Sequence, residues 1–316
     1  MSERPEAAIR VSTIIPVYNG AATVARAIDS ALAQDFEGQE IILVNDGSTD
    51  NTADVLAKYA HKVRVINKPN GGAASARNAG IAVARGEYVA FLDADDIWLQ
   101  SHVMALVDVL AREPQAVLAY GDFRVVGEDD TVFAESVFST DQSAGRPPTM
   151  DEMLERTWPI LPSATIVRAD AIRSCGGFDE SFKAAAWEDF YLWLVLREYG
   201  PFISVPKVAA IHVDHPDTAP DKYREGQDRF LHLIRIRYGK RSRALRRSIV
   251  RDFSSKLFFR GLARVKRSEY FKGLCDLLHA TRYSPVWVVR NAKPVRRGLK
   301  FARQLRTNFG FTSSNQ

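Results

Sequence analysis

The sequence has few cysteines and no long apolar run, and each shortage excludes a class of protein. Cys175 and Cys275 are the only cysteines among 316 residues, and they lie 100 positions apart. This usage excludes a disulfide framework and a structural zinc site. Apolar stretches such as Phe190–Leu196 and Val286–Val289 are far shorter than the roughly 18 residues that a membrane-spanning helix requires. We therefore expect no transmembrane helix.

The N-terminus also lacks the apolar run of a secretory signal. Residues 1–10 carry charges and a proline where such a signal would need apolar side chains. We therefore expect the protein to be cytoplasmic.

Charge is distributed unevenly along the chain. Residues 1–221 contain 18 Lys and Arg against 33 Asp and Glu, whereas residues 222–316 contain 25 against 5. Such asymmetry indicates a separate partner for the basic part. Pro216 and Pro220 mark the boundary, and helical patterns dominate after them. We predict an N-terminal tail at residues 1–10, an α/β domain at residues 11–221 and a basic α-helical extension at residues 222–316.

Short β-branched runs alternate with helical patterns from residue 11 onward. The pattern βαβαβαβ, with continuous apolar strands, predicts a mostly parallel sheet covered by helices on both faces. The predicted strands are Val11–Val17, Glu40–Asn45, Val63–Asn67 and Tyr88–Asp93, and the predicted helices are Thr23–Gln34, Thr52–Tyr59 and Ala73–Ala84. Ligands of such sheets bind at the carboxyl ends of the strands.

The later elements are less regular. We predict strands at Val117–Tyr120, Ser163–Arg168 and Phe202–Val205, a loop at Gly127–Pro148, and a helix from Trp187 to about Tyr199.

An acidic turn follows the fourth predicted strand. Asp93, Asp95 and Asp96 place three carboxylates within four residues. Because like charges this close repel, a hard divalent cation such as Mg²⁺ or Mn²⁺ would stabilise them, together with phosphate oxygens of a substrate. The alternative is a solvated acidic turn in which Asp96 caps a helix.

Two other strand ends carry polar groups. Asp46 could accept a hydrogen bond from a nucleobase N–H, and the loop at residues 70–78 feeds a helix whose N-terminus and Arg77 favour a diphosphate. These residues are also ordinary turn and capping residues. The loop lacks the spacing of a dinucleotide fingerprint or a P-loop.

Four segments in this order resemble glycosyltransferase family 2, whose members have the GT-A nucleotide-sugar fold. They are Val11–Asn19, Val44–Thr52, Gly71–Ile81 and Phe91–Asp96, and the resemblance extends over about residues 11–215. It implies that residues 11–221 form a GT-A catalytic domain. It further implies inverting transfer of a sugar from a nucleotide diphosphate-sugar donor to a hydroxyl of a glycan or lipid-linked acceptor, with Mn²⁺ or Mg²⁺ as cofactor. Cell-surface polysaccharide assembly is the implied setting.

The resemblance also implies roles for individual residues. Asp95 would be the metal ligand, and His215, preferred to His212, would contact the metal or a phosphate. The residues implied in nucleotide binding are Pro16, Tyr18, Asn19, Asp46, Gly72, Arg77, Asp93 and Ala94. The family's second strand ends in two aspartates, and here the first of them is Asn45.

Trp187, Glu188 and Asp189 match the acceptor side of the family, where the residue corresponding to Asp189 is the catalytic base. The residues alone allow the same role, because the dipole at a helix N-terminus would keep a carboxylate ionised and ready to take a proton. The alternative is that Glu188 and Asp189 only start a helix.

Two other functions can be weighed on the residues. A sugar-phosphate nucleotidyltransferase would need a glycine-rich phosphate loop where residues 16–19 read Pro-Val-Tyr-Asn. A nucleotide-sugar binding or regulatory protein without catalysis is the main alternative, although Asp46, Asp95 and Asp189 are all present.

The basic region has two interpretations. Leu245, Ile249, Phe253 and Leu257 recur at i+4 spacing, and apolar and basic residues interleave at residues 295–309. Such helices suit an anionic membrane surface, which predicts a peripheral location at the inner face of the cell membrane. Alternatively, their apolar faces pack on the acidic domain. No nucleic-acid-binding motif accompanies the charge, so we expect no nucleic acid partner.

Overall fold

The computed structural model describes residues 10–140, 145–183, 186–214, 220–251 and 277. The strands are β1 (Val11–Val17), β2 (Gln39–Asn45), β3 (Arg64–Asn67), β4 (Tyr88–Phe91), β5 (Ile97–Trp98), β6 (Leu118–Gly127), β7 (Val132–Ala134), β8 (Thr165–Arg168) and β9 (Phe202–Asp214). The α-helices are α1 (Val24–Leu32), α2 (Thr52–Ala57), α3 (Ala73–Val83), α4 (His102–Arg112), α5 (Val137–Thr140), α6 (Met150–Met153), α7 (Ala169–Ser174), α8 (Glu188–Leu196) and α9 (Pro220–Tyr238).

The described strands form one sheet in the order β3-β2-β1-β4-β8-β6-β9-β5, with β7 paired to β6. Strands β3, β2, β1 and β4 run parallel to one another. Strand β8 is antiparallel to both β4 and β6, and β9 is parallel to β6. The α/β fold predicted from the sequence is confirmed, and the parallel strands β1–β4 bring their polar ends to one edge of the sheet.

The core of the parallel half is built from the apolar strand runs. Side chains of Ile14, Ile15, Ile42, Leu43 and Phe91 are fully buried. Each such burial stabilises the fold by about 1.5–3 kcal/mol relative to exposure. Helices on both faces are required for strands that are apolar on both sides.

Several predicted elements differ from the observed ones. The stretch predicted as a loop at Gly127–Pro148 contains β7 and α5, and the last strand continues past Val205 to Asp214. The sequence did not predict β7 or the second half of β9, because these strands lie in polar segments and are stabilised by pairing with β6 rather than by an apolar run. Asp96 caps no helix, since β5 follows it directly.

The chain divides into two compact units, residues 1–241 and 242–316. The sequence placed the boundary after residue 221, but α9 belongs to the first unit, where it packs on α8. In the second unit residues 243–251 are helical, with Leu245 and Ile249 buried. Phe253, Leu257 and residues 295–309 lie outside the described residues. No helix in the described ranges is long and apolar enough to cross a bilayer.

Candidate active site

Asp46 organises the loop between β3 and α3. Its buried carboxylate accepts hydrogen bonds from Lys68 Nζ at 2.6 Å and from the backbone N–H of Gly72 at 2.7 Å. The N–H of Gly71 lies 3.0 and 3.1 Å from the two carboxylate oxygens. Gly72 has a φ of 87°, which glycine adopts without strain, so the loop can fold over the carboxylate. Asp46 and Gly72, both predicted to bind nucleotide, are therefore in direct contact.

The end of β1 meets the end of β2. Asn19 has a φ of 51° and accepts a hydrogen bond from the N–H of Thr49 at 2.8 Å, while its own N–H donates to Ser48 Oγ at 3.0 Å. Asn19 thus joins two loops at the predicted base pocket. Pro16 is buried within β1, whereas Tyr18 is 52% exposed and offers its ring to a ligand.

Arg77 joins the acidic turn to the start of α8. Its Nη2 lies 2.6 Å from Asp93 Oδ1 and its Nη1 lies 2.8 Å from Glu188 Oε1. Burial disfavours the charge, but the two carboxylates more than compensate and raise the pKa of Arg77 above its usual value. Removing one member of such a buried group typically costs about 3–5 kcal/mol. The sequence predicted that Arg77 contacts a diphosphate, and the structure places it between two carboxylates.

Asp96 anchors the acidic turn to β9. Its fully buried carboxylate accepts hydrogen bonds from Ser163 Oγ at 2.5 Å and from the N–H of Val213 at 3.1 Å. The same carboxylate lies 2.9 Å from His212 Nδ1. Ser163 Oγ in turn accepts a hydrogen bond from the N–H of Asp93 at 3.0 Å. The third carboxylate of the turn is therefore structural.

His212 is the histidine that the structure brings to the acidic turn. Burial lowers its pKa, but the bond to Asp96 and the nearby charges of Asp93 and Asp95 raise the pKa to about 9. The imidazole is therefore a cation at neutral pH. His215, which the sequence analysis preferred, lies outside the described residues.

Asp189 occupies the first turn of α8. Its Oδ1 accepts a hydrogen bond from the N–H of Phe190 at 2.6 Å. Burial and the charge of Glu188 raise the pKa of Asp189 to about 7, against the lowering effects of that N–H and of Arg77. The expectation that the helix N-terminus keeps this carboxylate fully ionised is corrected, because burial and the neighbouring carboxylate outweigh it. A pKa near neutrality suits a general base.

A cleft of about 510 Å³ brings the predicted groups together. Its polar lining includes Asp93, Arg77, Glu188, Asp189 and His212. The remaining lining is mainly apolar and aromatic and includes Phe123, Trp158, Pro159, Ile160, Leu161, Pro162, Trp187 and Phe190. The acidic turn and the predicted base therefore face one space.

The acidic turn fits a cation that is shared with a ligand. In the part of the chain that the structure describes, no three His, Cys, Asp or Glu side chains are grouped to enclose a metal ion. Asp93 and Asp95 would offer carboxylate oxygens to such a cation, and their charges help to raise the pKa of His212. Mg²⁺ is usually held by one or two carboxylates with phosphate oxygens completing the shell. The residues thus fit a cation that a bound diphosphate would complete.

Lys68, Ser163 and Trp158 belong to the site but were not predicted. Lys68 follows β3 directly, so the rule that ligands bind at strand ends could have found it. Trp158 lies in a segment without a predicted strand or a motif, and Ser163 was predicted only as the first residue of a strand. Only the fold brings Trp158 to the cleft and Ser163 to the acidic turn.

Relatives of this chain are found among known glycosyltransferases. The model of the family described as Glycosyl transferase family 2 matches residues 12–173. An uncharacterized glycosyltransferase of Rickettsia typhi is 31% identical over 211 residues, which cover 65% of this chain and 61% of that protein. Chondroitin synthase of Pasteurella multocida is 33% identical over 215 residues, covering 67% of this chain and 21% of that protein.

Solved structures show the same fold. The crystal structure of S. aureus TarS residues 1–349 superposes with a TM-score of 0.56 at 20% identity, covering 72% of this chain and 66% of that chain. TarS structures in complex with UDP and with UDP-GlcNAc are similar to the same extent, with TM-scores of 0.55 and 0.56. The likeness establishes a GT-A-type fold.

The chain spans only part of its curated relatives, with matches that cover 61% or less of the proteins named above. The family model, in contrast, matches residues 12–173, which are just over half of this chain. The chain therefore belongs to glycosyltransferase family 2.

Proposed function

We propose that this protein transfers a sugar from a nucleotide diphosphate-sugar to a hydroxyl of a glycan or lipid-linked acceptor, with inversion at the anomeric carbon, in cell-surface polysaccharide assembly. The observation that carries the proposal is the single cleft lined by both Asp93 and Asp189. A donor bound at the acidic turn would present its reactive carbon to that cleft. Family membership and the similarity to polysaccharide synthases support the same function.

The donor nucleotide would bind along the ends of β1, β2 and β3. The buried Asp46 carboxylate is an acceptor that is bonded to Lys68 Nζ at 2.6 Å and to the amides of Gly71 and Gly72, and Lys68 Nζ is a donor. An adjacent acceptor and donor complement a base edge with an N–H beside a carbonyl, as in uracil. The ring of Tyr18 is exposed nearby for stacking. We therefore propose a uridine diphosphate-sugar, which the UDP-bound structures of the TarS neighbour support.

In the proposed reaction Asp189 takes the proton of the acceptor hydroxyl. The acceptor oxygen forms a bond to the anomeric carbon as the bond from that carbon to the diphosphate oxygen breaks on the opposite face, so the configuration inverts. The His212 cation adds positive charge beside the acidic turn. A divalent cation, Mn²⁺ or Mg²⁺, held by Asp95 with Asp93 and completed by the diphosphate, would supply further charge neutralisation for the leaving group.

The acceptor would enter through the aromatic part of the cleft. Trp187 and Trp158 line it together with apolar residues, so the apolar faces of sugar rings have surfaces to pack against. Glu188 is held by Arg77 and shapes the floor beside Asp189. We propose acceptor-side roles for Trp187 and Glu188, as the sequence predicted.

We further propose a cytoplasmic protein that binds the inner face of the membrane through residues 222–316. That region contains 25 basic and 5 acidic residues, and this excess of positive charge supports the location. In the described part of that region, the helix at residues 243–251 exposes Arg243 and Arg247 and buries Leu245 and Ile249. Lipid-linked acceptors would be met at such a surface.

A panel of nucleotide diphosphates and their sugars tests the function. With Mn²⁺ present, uridine diphosphate-sugars should raise the melting temperature most, because ligands that bind the folded state stabilise it. Slow release of UDP from the bound donor would exclude the alternative of a binding protein without catalysis. If no nucleotide diphosphate stabilises the protein, the proposed function is wrong.

A further inference from the structure

Helix α9 contacts the backbone that leads into α8. A Cβ atom added at Gly226 would lie 2.0 Å from the carbonyl oxygen of Ala186 and 2.9 Å from its backbone nitrogen. A separation this short is not possible for a real Cβ, and backbone atoms cannot turn aside as a flexible side chain can. Gly226 is therefore required for the observed approach of α9 to residue 186.

Phe230 continues this contact one turn further along the same face of α9. Its fully buried ring lies 5.1 Å from the ring of Trp187, 5.7 Å from that of Phe190 and 6.4 Å from that of Tyr191, measured between centroids. These three residues flank Asp189 in the sequence. Phe230 therefore packs on both sides of the proposed base.

The segment held by α9 is strained. Trp187 has a φ of 85°, a left-handed conformation that is unfavourable for any residue with a side chain. Such a conformation persists only when the surrounding structure holds it. The turn at Trp187 sets the direction in which α8 begins, and Asp189 lies two residues later. Contacts at residues 186 and 187 therefore control where the carboxylate points.

We infer that Gly226 and Phe230 are positioning residues for the proposed catalytic base. The inference rests on the proposed function of Asp189. Neither residue lines the cleft, so Gly226 acts through the backbone of Ala186 and Phe230 through the rings of Trp187, Phe190 and Tyr191. Helix α9 also lies outside residues 12–173, which match the family. It is a part of this chain's catalytic unit that the family match does not include.

Substitution of the two residues tests the inference. In the full-length protein, Gly226→Ala and Phe230→Leu are compared with Asp228→Ala, an exposed change on the same helix. UDP-GlcNAc with Mn²⁺ is the probe, and UDP release is measured. We expect kcat to fall roughly 100-fold in the first two variants, because small displacements of a catalytic group have effects of this size. We expect UDP affinity to stay unchanged and Asp228→Ala to match the wild type.

Hydrogen exchange gives a second readout that needs no turnover. Amides of residues 186–191 should exchange faster in Gly226→Ala and Phe230→Leu, while those of β1–β4 keep wild-type protection. Wild-type kcat with unchanged exchange at 186–191 would overturn the inference. The inference would also be overturned if the variants lost UDP affinity as much as kcat and lost protection in β1–β4, because Gly226 and Phe230 would then have a general structural role.

Failure of the proposed function has a different signature. If the wild-type protein binds none of the nucleotide diphosphates in the panel, the proposed function is at fault, and if it binds one other than UDP, only the uridine donor is. The exchange rates at residues 186–191 still decide whether α9 holds that segment.

Discussion

The neighbours of the Asp189 carboxyl group have opposite effects on its pKa. Burial and the charge of Glu188 raise its pKa, whereas the N–H of Phe190 and the charge of Arg77 lower it, and the result is a pKa of about 7. Arg77 also forms direct ion pairs with Glu188 and Asp93. The balance leaves a base that is partly ionised at neutral pH.

This pKa predicts the pH dependence of the reaction. Only the ionised carboxylate accepts a proton, so activity is lost as the pH falls through the pKa. We expect kcat/KM for UDP release from UDP-GlcNAc to rise up to pH about 7 and to level off above it. The control is UDP affinity over the same range, which should not follow this curve. A flat kcat/KM across neutral pH would contradict the assignment.

Membership of the candidate site could be predicted for residues that follow a strand or lie in a motif. Asp46 and Asp93 follow strands, and both take part in the site. Asn45 departs from the family pattern, and its side chain is used structurally: Nδ2 donates to Asn67 Oδ1 at 3.0 Å, and Oδ1 accepts from the N–H of Ser48 at 3.1 Å. The burial that raises the pKa of Asp189 could not be read from sequence, because it depends on packing across the cleft.

At the scale of elements, the close packing of α3 on β1 brings the nucleotide loop to its place. Gly80 lies in the middle of α3, and a Cβ there would lie 2.5 Å from Ile14 Cγ2. The small residue allows the helix to approach the strand. This approach places the start of α3 against Asp46 and places Arg77 beside Asp93.

Gly80→Ala therefore sets two effects against each other. Alanine favours a helix interior by about 1 kcal/mol over glycine, while overpacking a core typically costs about 1–3 kcal/mol. Because Ile14 is fully buried and cannot give way freely, we expect a net loss of stability in urea unfolding.

The matched control is Gly80→Ala combined with Ile14→Ala, which removes the clashing atoms. If the single substitution raises the free energy of unfolding, the close packing of α3 on β1 is not as described.

The parallel half of the sheet was predictable because its strands are continuous apolar runs. Strand β9 was predicted only to Val205, since the residues that follow alternate and include Lys207 and His212. Pairing with β6 extends it to Asp214 and brings His212 to Asp96. Long-range pairing of this kind leaves no local signal in the sequence, and the same holds for β7.

At the scale of the whole molecule, the basic excess of residues 222–316 predicts salt-dependent membrane binding. The full-length protein should sediment with vesicles that contain phosphatidylglycerol at low ionic strength and be released at high salt, because surface charges are then screened. Neutral phosphatidylcholine vesicles are the control. Absence of sedimentation with either kind of vesicle would favour the alternative, in which the basic region packs on the acidic domain.

The domain organisation was only partly readable from the sequence. Prolines and the change of charge indicated a boundary after residue 221, whereas the first compact unit extends to Arg241. The extension is explained by contacts of α9, such as Arg237 Nη2 with Glu198 Oε2 at 2.7 Å and the packing of Phe230 on Trp187. The basic residues of α9 led the sequence analysis to assign this helix to the basic extension, although its apolar face packs on α8.

We propose that Asp189 removes a proton in a cleft where the donor is bound independently of this side chain. The most direct measurement compares wild type and Asp189→Asn for UDP affinity in the presence of Mn²⁺ and for UDP release from UDP-GlcNAc. We predict that turnover falls about 10²–10⁴-fold, the usual contribution of a general base, while UDP affinity is retained. An equal loss of affinity and turnover, or retained turnover, would contradict the account.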